Sequence, residues 1–275
     1  MQDDGGSREQ RLVFGEDATL YDRARPGYAD EVVDAVLAYA SVAPASCRAV
    51  EIGAGTGKAT TAFARRGVRV VALEPDPAMA AVAAHNLEPW PAVQVEVTGF
   101  EDWELTAGTC DLVFSAQAWH WVRADVRCAK AARALRDRGA LALMWHRIAW
   151  AEGDPVRAAL DDCYSRNAPD LRDRHPGFPG LGRENWDEAA RAEVAQSGFF
   201  DDVVVHQHRW EGRFSTTAFL DLLRTQSDHR MLRTEDREHL LGAVGDVVRA
   251  YGGAVSIPYE TFVVLGRRRP ASDAG

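Results

Sequence analysis

The segment Val50-Glu51-Ile52-Gly53-Ala54-Gly55-Thr56-Gly57 sets three glycines at alternate positions just behind a carboxylate. Glycines in such a turn let the backbone come close to a ligand where a Cβ would collide. A phosphate-cradling P-loop requires a glycine five positions before Gly57, where Ile52 stands, and a hydroxyl after Lys58, where Ala59 stands. The dinucleotide fingerprint GxGxxG finds Gly53 and Gly55, but Lys58 occupies its third glycine, the position that brings helix and strand together. Glu51, two positions before the first glycine, separates the remaining ligands: it repels a pyrophosphate and attracts an aminoacyl ammonium. S-adenosyl-L-methionine (SAM) carries such an ammonium and no phosphate. Glu74 stands 21 positions after Gly53, where an acidic residue accepts hydrogen bonds from both ribose hydroxyls of NAD or of SAM.

Two histidines follow apolar runs where a reacting group is wanted. His120, within Trp119-His120-Trp121, comes after Cys110 to Ser115, and His146 comes after Gly139 to Trp145. An imidazole there takes a proton from a hydroxyl nucleophile, or equally packs among the tryptophans with its N–H on a backbone carbonyl. His206 and His208 share one strand face without a third acidic or histidine partner, a poor metal site, and no metal is expected. Cys47, Cys110, Cys128 and Cys163 are widely spaced with no CxxC pair, which reads as buried thiols in a reducing cytoplasm. Trp145, Trp150, Phe178, Trp186, Phe199, Phe200, Trp210 and Phe214 are core residues for the most part, or the lining of a cap pocket.

The elements that must hold these residues follow from periodicity. Cys47 to Gly53, Arg69 to Glu74, Val93 to Thr98, Cys110 to Ser115 and Gly139 to Trp145 read as strands. Tyr28 to Tyr39, Lys58 to Arg66, Asp76 to Asn86 and Asp125 to Leu135 read as helices. Alternation of this kind predicts right-handed βαβ units and a parallel sheet, with ligands beyond the strands' C-terminal ends. After Trp150 the pattern changes: Asp154 to Asp202 carries Pro155, Pro169, Pro176 and Pro179 and only broken helical segments, and an insertion or cap is expected there. Val203 to Trp210 and Ile257 to Leu265 then read as strands flanking helical stretches Thr217 to Leu232 and Glu235 to Tyr251. The chain of 275 residues is 46% hydrophobic and has eight tryptophans, enough for a sizeable core without staples. A net charge of −9 argues against a nucleic-acid partner and for a small-molecule substrate. Polar residues Met1 to Gln10 and the lack of a spanning run predict a soluble, cytoplasmic protein with no membrane partner.

Over residues 11 to 150 the sequence resembles the class I SAM-dependent methyltransferases, in particular small-molecule enzymes with a type 11-like domain. The glycine turn is similar to their first SAM motif, and Leu73-Glu74-Pro75-Asp76-Pro77-Ala78-Met79 to their ribose-binding second. Thr98-Gly99-Phe100-Glu101-Asp102 falls at their adenine-edge loop, with Gly99 at the frequent Asp position. Phe114 to Trp121 resembles the segment that passes beneath the sulfonium toward substrate. Arg133 to Gly139 resembles a conserved-type turn of the family but lacks its Pro and first Gly. Tyr21-Asp22-Arg23-Ala24-Arg25-Pro26-Gly27-Tyr28 resembles a stretch that closes over the cofactor.

The resemblance implies cofactor contacts from Glu51, Gly53, Ala54, Gly55, Gly57, Glu74, Pro75, Phe100, Glu101, Ser115, Ala116 and Gln117, with Tyr21 and Arg25 on the methionyl carboxylate. The reaction it implies acts on an O, N or C nucleophile of a small molecule, and His120 and His146, which follow the fourth and fifth strands, are the catalytic candidates. The expected fold is α/β: a Rossmann-like, doubly wound, seven-stranded sheet, mostly parallel with an antiparallel last strand, plus helical cap insertions. Its parts are a disordered N-terminus (1–11), N-terminal cap helices (12–45), a SAM-binding core (46–150), a cap (151–202), final strands with inserted helices (203–268) and a tail (269–275). A SAM-binding protein of another reaction or a sensor, and an NAD-linked oxidoreductase, stand behind the methyltransferase reading. The sequence leaves the oligomeric state open.

Overall fold

The computed structural model describes residues 17–174 and 186–270. The expectations for Met1 to Gln10, Pro176, Phe178 and Pro179 therefore lie outside the described residues. The elements are α1 (Ala18–Ala24), α2 (Asp30–Ala40), β1 (Arg48–Ile52), α3 (Lys58–Ala64), β2 (Arg69–Leu73), α4 (Pro77–Leu87), β3 (Val93–Glu96), β4 (Cys110–Ala116), α5 (Ala124–Ala134) and β5 (Leu135–Ile148). They continue with α6 (Pro155–Asn167), α7 (Pro169–Arg174), α8 (Trp186–Gln196), β6 (Phe200–Ser215), α9 (Thr216–Arg224), α10 (Ser227–Arg230), α11 (Thr234–Ala250) and β7 (Ala254–Arg268).

The seven strands form one sheet in the order β3-β2-β1-β4-β5-β7-β6. Strands β1 to β5 pair in parallel. At one end of β5 the Arg268 guanidinium reaches Leu135 O, and at the other Ala149 N–H donates to Pro258 O, so β7 runs opposite to β5. β6 meets β7 in the same sense: Arg269 N–H donates to Phe199 O, while Gly212 lies against Tyr259. The expected α/β architecture with an antiparallel last strand is thus the observed one. The strand order reverses between β1 and β4, where Ile52 pairs with Ser115, and a crevice at that switch point is where such sheets bind ligands.

The chain divides into two compact units. Among the described residues the first holds 17–26, 146–174 and 209–260, and the second holds 27–145, 186–208 and 261–270. In the second, buried strand residues alternate between two layers. Ala49, Val70, Ala72, Leu112 and Phe114 pack with Val32, Val33 and Val36 of α2 and Phe63 of α3. Val50, Ile52, Leu73, Val113 and Leu141 pack with Ala131 of α5 and Val194 of α8. Strands covered on both faces read as unbroken apolar runs, which is why β1 and β4 are legible from sequence. The first unit has its own core, in which Leu160 and Tyr164 of α6, Phe219 and Leu223 of α9, and Leu240 and Val244 of α11 surround Ile257 and Tyr259 of β7.

Pro155 and Pro169 open α6 and α7, two of the broken helical segments expected after Trp150, and Asp154 caps α6 by accepting from Val156 and Arg157 N–H groups. Proline suits a first helical position because the N–H it lacks has no partner there anyway. β5 begins at Leu135 rather than Gly139, because Arg136, Asp137 and Arg138 extend the strand with their side chains partly in solvent. Along β6 the inward residues are Val203 and Val205 before the exposed His206–Gln207 and His208 and Trp210 after it, as the covered face of the strand changes. All four cysteines are buried and free, and no helix of the described residues is long and apolar enough to cross a membrane.

Candidate functional site

The turn after β1 is built by its glycines and two carboxylates. Gly53, Gly55 and Gly57 all take positive φ, at 70°, 59° and 83°. The N–H groups of Gly53 and Ala54 both donate to Leu73 O at 2.9 Å, tying the turn to the end of β2. A Cβ on Gly53 would fall 2.4 Å from Ala118 Cβ in the segment after β4. Gly53→Ala therefore combines a left-handed backbone, costing about 1–2 kcal/mol, with a clash of similar size. A loss of roughly 2–4 kcal/mol is expected in denaturant unfolding; wild-type stability would show that the turn yields.

Glu51 is 1% exposed, and its Oε2 accepts from the Thr60 hydroxyl of α3. Burial pushes its carboxyl up to about 8 against the opposing Thr60 hydrogen bond, with the Glu74 charge adding to the rise. Glu74, 8% exposed, accepts from Gly55 N–H at 2.8 Å on Oε2 and from Asp76 N–H at 2.9 Å on Oε1. These bonds orient the Glu74 carboxylate at the end of β2. Pro75 links it to Asp76, which caps α4 by accepting from Ala78 and Met79. Thr56, in the same turn, is 1% exposed and its hydroxyl has no hydrogen-bond partner among the described residues. Neither Thr56 nor Thr60 was singled out from the sequence, since a threonine carries no motif signal of its own.

Two further loops end in the same unit. After β3, buried Phe100 stacks on Trp103 and lies under the Lys130 ammonium, which donates to Glu101 O and Trp103 O. The Glu101 carboxylate accepts from Arg123 N–H at 3.1 Å. After β4, Ser115 donates to Ile52 O across the switch point, Ala116 ends the strand, and Gln117 turns with a φ of 60° while its N–H holds Met144 O. Trp119–Trp121 then form one 3-10 turn. His120 lies in it against Trp121, and Trp145 Nε1–H donates to its Nδ1 at 3.4 Å. Burial, with the Arg127 charge, lowers its pKa to about 4. This turn is clamped from outside: Arg127 donates to both oxygens of Glu193 at 2.6 Å and to the carbonyls of Trp119 and Val122, while Trp119 Nε1–H reaches Glu193. Sixty-six residues separate Arg127 from Glu193, so no local pattern announces the pair.

Tyr21, Arg25 and His146 belong to the other unit. Arg25 lies over the Tyr21 ring and donates to Thr225 Oγ1, Thr225 O and Gln226 Oε1. His146 is edge-on to Trp210 and Tyr259. No group of three or more His, Cys, Asp or Glu side chains suited to a metal occurs among the described residues.

A three-glycine turn at the switch point, with one buried carboxylate behind it and another at the end of β2, suits a nucleotide-type ligand that brings no phosphate. The type 11 methyltransferase domain model matches residues 50–143, spanning β1 through most of β5. An uncharacterized methyltransferase of Mycobacterium tuberculosis is 31% identical over 268 residues, which cover 94% of this chain and 96% of that protein. In fold the chain is similar to a type II methyltransferase from Anaeromyxobacter dehalogenans, at TM-score 0.61 and 23% identity over 89% of this chain and 97% of that one. It is also similar to a methyltransferase from an antibiotic biosynthesis pathway of Anabaena variabilis, at TM-score 0.60 and 19% identity over 88% and 98%. The chain belongs to the class I SAM-dependent methyltransferases, and its cofactor is S-adenosyl-L-methionine.

Proposed function

We propose that this enzyme methylates an O, N or C nucleophile of a small molecule in the cytoplasm, with its SAM-binding core formed from residues 46–150. The observation that carries the reading is the pairing of Glu51, buried behind the glycine turn, with Glu74, held at the end of β2 by two backbone N–H groups. These groups match the cofactor's donors, an ammonium and two ribose hydroxyls. Bound SAM supplies an electrophilic methyl on a sulfonium. The chain's part is to hold and orient: the glycine turn admits the ligand against the backbone, Ser115 to Gln117 form the floor after β4, and Phe100 with Glu101 closes the adenine side. Transfer of a methyl is an in-line displacement, for which fixing the nucleophile along the S–C axis is the largest contribution a protein can make. A net charge of −9 favours a small acceptor over a nucleic acid.

Titration calorimetry tests this assignment. Glu74→Ala is expected to lose about 1.5–3 kcal/mol of SAM affinity, the value of hydrogen bonds to a charged group. Glu74→Gln, which keeps the shape and one oxygen to hold Gly55 or Asp76, separates ribose binding from collapse of the turn. Wild-type affinity in both folded variants would remove Glu74 from the cofactor site. Incubation with methyl-labelled SAM and a cell extract then identifies the acceptor, and binding without any labelled product would point to a non-methylating use of the cofactor.

A further inference from the structure

Within the second unit, the 3-10 turn Trp119–Trp121 is tied to the glycine turn on one side and to an ion pair on the other. On the first side Ala118, the residue before the 3-10 turn, packs so closely on Gly53 that a Cβ added to the glycine would lie 2.4 Å from its own. On the second side stands Arg127 of α5. Its Nε and Nη2 each donate to one Glu193 oxygen at 2.6 Å. Its Nη1 donates to two carbonyls that bracket the turn, Trp119 O at 2.9 Å and Val122 O at 3.1 Å. The guanidinium also lies over the Trp119 ring, 5.4 Å from its centre, and Trp119 Nε1–H reaches Glu193 Oε2 at 3.3 Å. One planar fork thus grips two carboxylate oxygens and two carbonyls, a set that a lysine cannot match.

Glu193 is delivered by the face of α8 that seats on the sheet. Ala190 and Val194 are buried in the layer that holds Val50, Ile52 and Leu141, and positions 190, 193 and 194 share one side of a helix. The two charges are largely withdrawn from water, with 15% of the Arg127 side chain and 23% of Glu193 exposed. An ion pair in such a place adds little stability over apolar residues of the same volume, and losing one partner strands the other. Apolar contacts would therefore anchor α8 to α5 equally well. What the ions add is direction, because they fix the carbonyls and the indole of the turn at the same time. Glu193 lies outside residues 50–143, which the type 11 domain model matches, so the pair joins a later helix to the matched domain.

We propose that Arg127 and Glu193 are positioning residues of the cofactor site: the pair holds the Trp119–Trp121 turn, and through Ala118 it keeps the glycine turn in the shape that binds the cofactor. The inference rests on the reading above, in which the cofactor lies at that turn. Both side chains act through the backbone of the segment after β4, and α8 thereby sets how firmly that segment is held on Gly53.

The test measures S-adenosylhomocysteine binding to the full chain by calorimetry, well below the lowest unfolding transition. Glu193→Gln keeps the shape but turns an amide N–H2 toward donors of Arg127 whichever way it lies, and is expected to weaken binding at least tenfold. Arg127→Lys keeps the charge and loses the fork, with the same expected result, and it carries the test if Glu193→Gln does not fold. Ala118→Gly separates positioning from general loosening. It removes the contact with Gly53 and is itself expected to weaken binding, so that adding Glu193→Gln to it changes affinity less than twofold. A tenfold loss from Glu193→Gln in both backgrounds overturns the proposal, because the pair would then not act through Ala118. Wild-type affinity in folded Glu193→Gln and Arg127→Lys overturns it, as does wild-type affinity in Ala118→Gly. Failure of both Glu193→Gln and Arg127→Lys to fold overturns it as well, since the pair would then be part of the core. If the wild type does not bind S-adenosylhomocysteine at all, it is the cofactor reading that fails.

Discussion

Replacing Glu51 with glutamine is expected to weaken SAM binding by roughly 10²-fold and to remove its dependence on pH below 8. The size comes from a charge-assisted hydrogen bond in a desolvated place, about 3 kcal/mol. The pH dependence comes from burial. Without ligand, the Glu51 carboxyl sits at about 8 because burial, helped by the Glu74 charge, outweighs the Thr60 hydrogen bond. At pH 7 it is therefore largely neutral. A ligand ammonium beside it favours the ionised form, so binding at pH 7 expels a proton. Wild-type affinity then rises with pH from about 6 to 8, and falls above that as the ligand's own α-amino group, near 7.7–8.0 in model compounds, loses its charge.

Calorimetry at pH 7 in two buffers of different ionisation heat measures the released proton directly: close to one in wild type, none in Glu51→Gln. Equal proton release in both proteins would assign the linkage to another group. The ligand-free protein supplies the opposite sign. A carboxyl raised from 4.5 to about 8 gives its full contribution to stability below 4.5 and loses it as pH climbs toward 8. Glu51→Gln should thus match wild type in acid and exceed it at pH 8, which also shows that the variant folds.

What the sequence discloses and what it hides divide along physical lines. Buried parallel strands announce themselves as apolar runs, and glycines at positive φ have few substitutes, so β1, β4 and the turn between β1 and α3 are legible residue by residue. Glu74 is legible because its spacing from Gly53 is set by one helix and one strand. Long-range pairings are not. Thr60 under Glu51 depends on how α3 crosses the sheet, the Arg127–Glu193 clamp joins α5 to α8, and Tyr259 meets Trp210 only because β7 lies between β5 and β6.

His120→Ala is expected to lower kcat by about 10²–10⁴-fold with SAM affinity nearly intact if the acceptor is a hydroxyl, the range typical of a lost general base. His146→Ala should mainly raise the acceptor KM, as its ring packs edge-on to Trp210 and Tyr259 and does not stand in the turn after β4. The structure sharpens the test through the tautomer. Trp145 Nε1–H donates to His120 Nδ1, so the neutral ring carries its proton on Nε2 and offers no lone pair there. At 3.4 Å that bond is long and easily exchanged for the other tautomer, in which Nδ1 holds the proton and Nε2 accepts one. Burial keeps the ring neutral, with a pKa of about 4. The kcat profile should accordingly be flat from pH 6 to 8 and fall only in acid, where an ordinary exposed histidine would give a break near 6.5. Trp145→Phe frees Nδ1, and by removing the competing donor should raise kcat a few-fold at pH 7. A large loss in that variant would mean that Trp145 holds the imidazole in the productive tautomer, with Nε2–H as a donor to the acceptor and not a base. A change of only a few-fold in His120→Ala would leave positioning as the driving force, as for a carbon or carboxylate nucleophile that needs no base in the transition state.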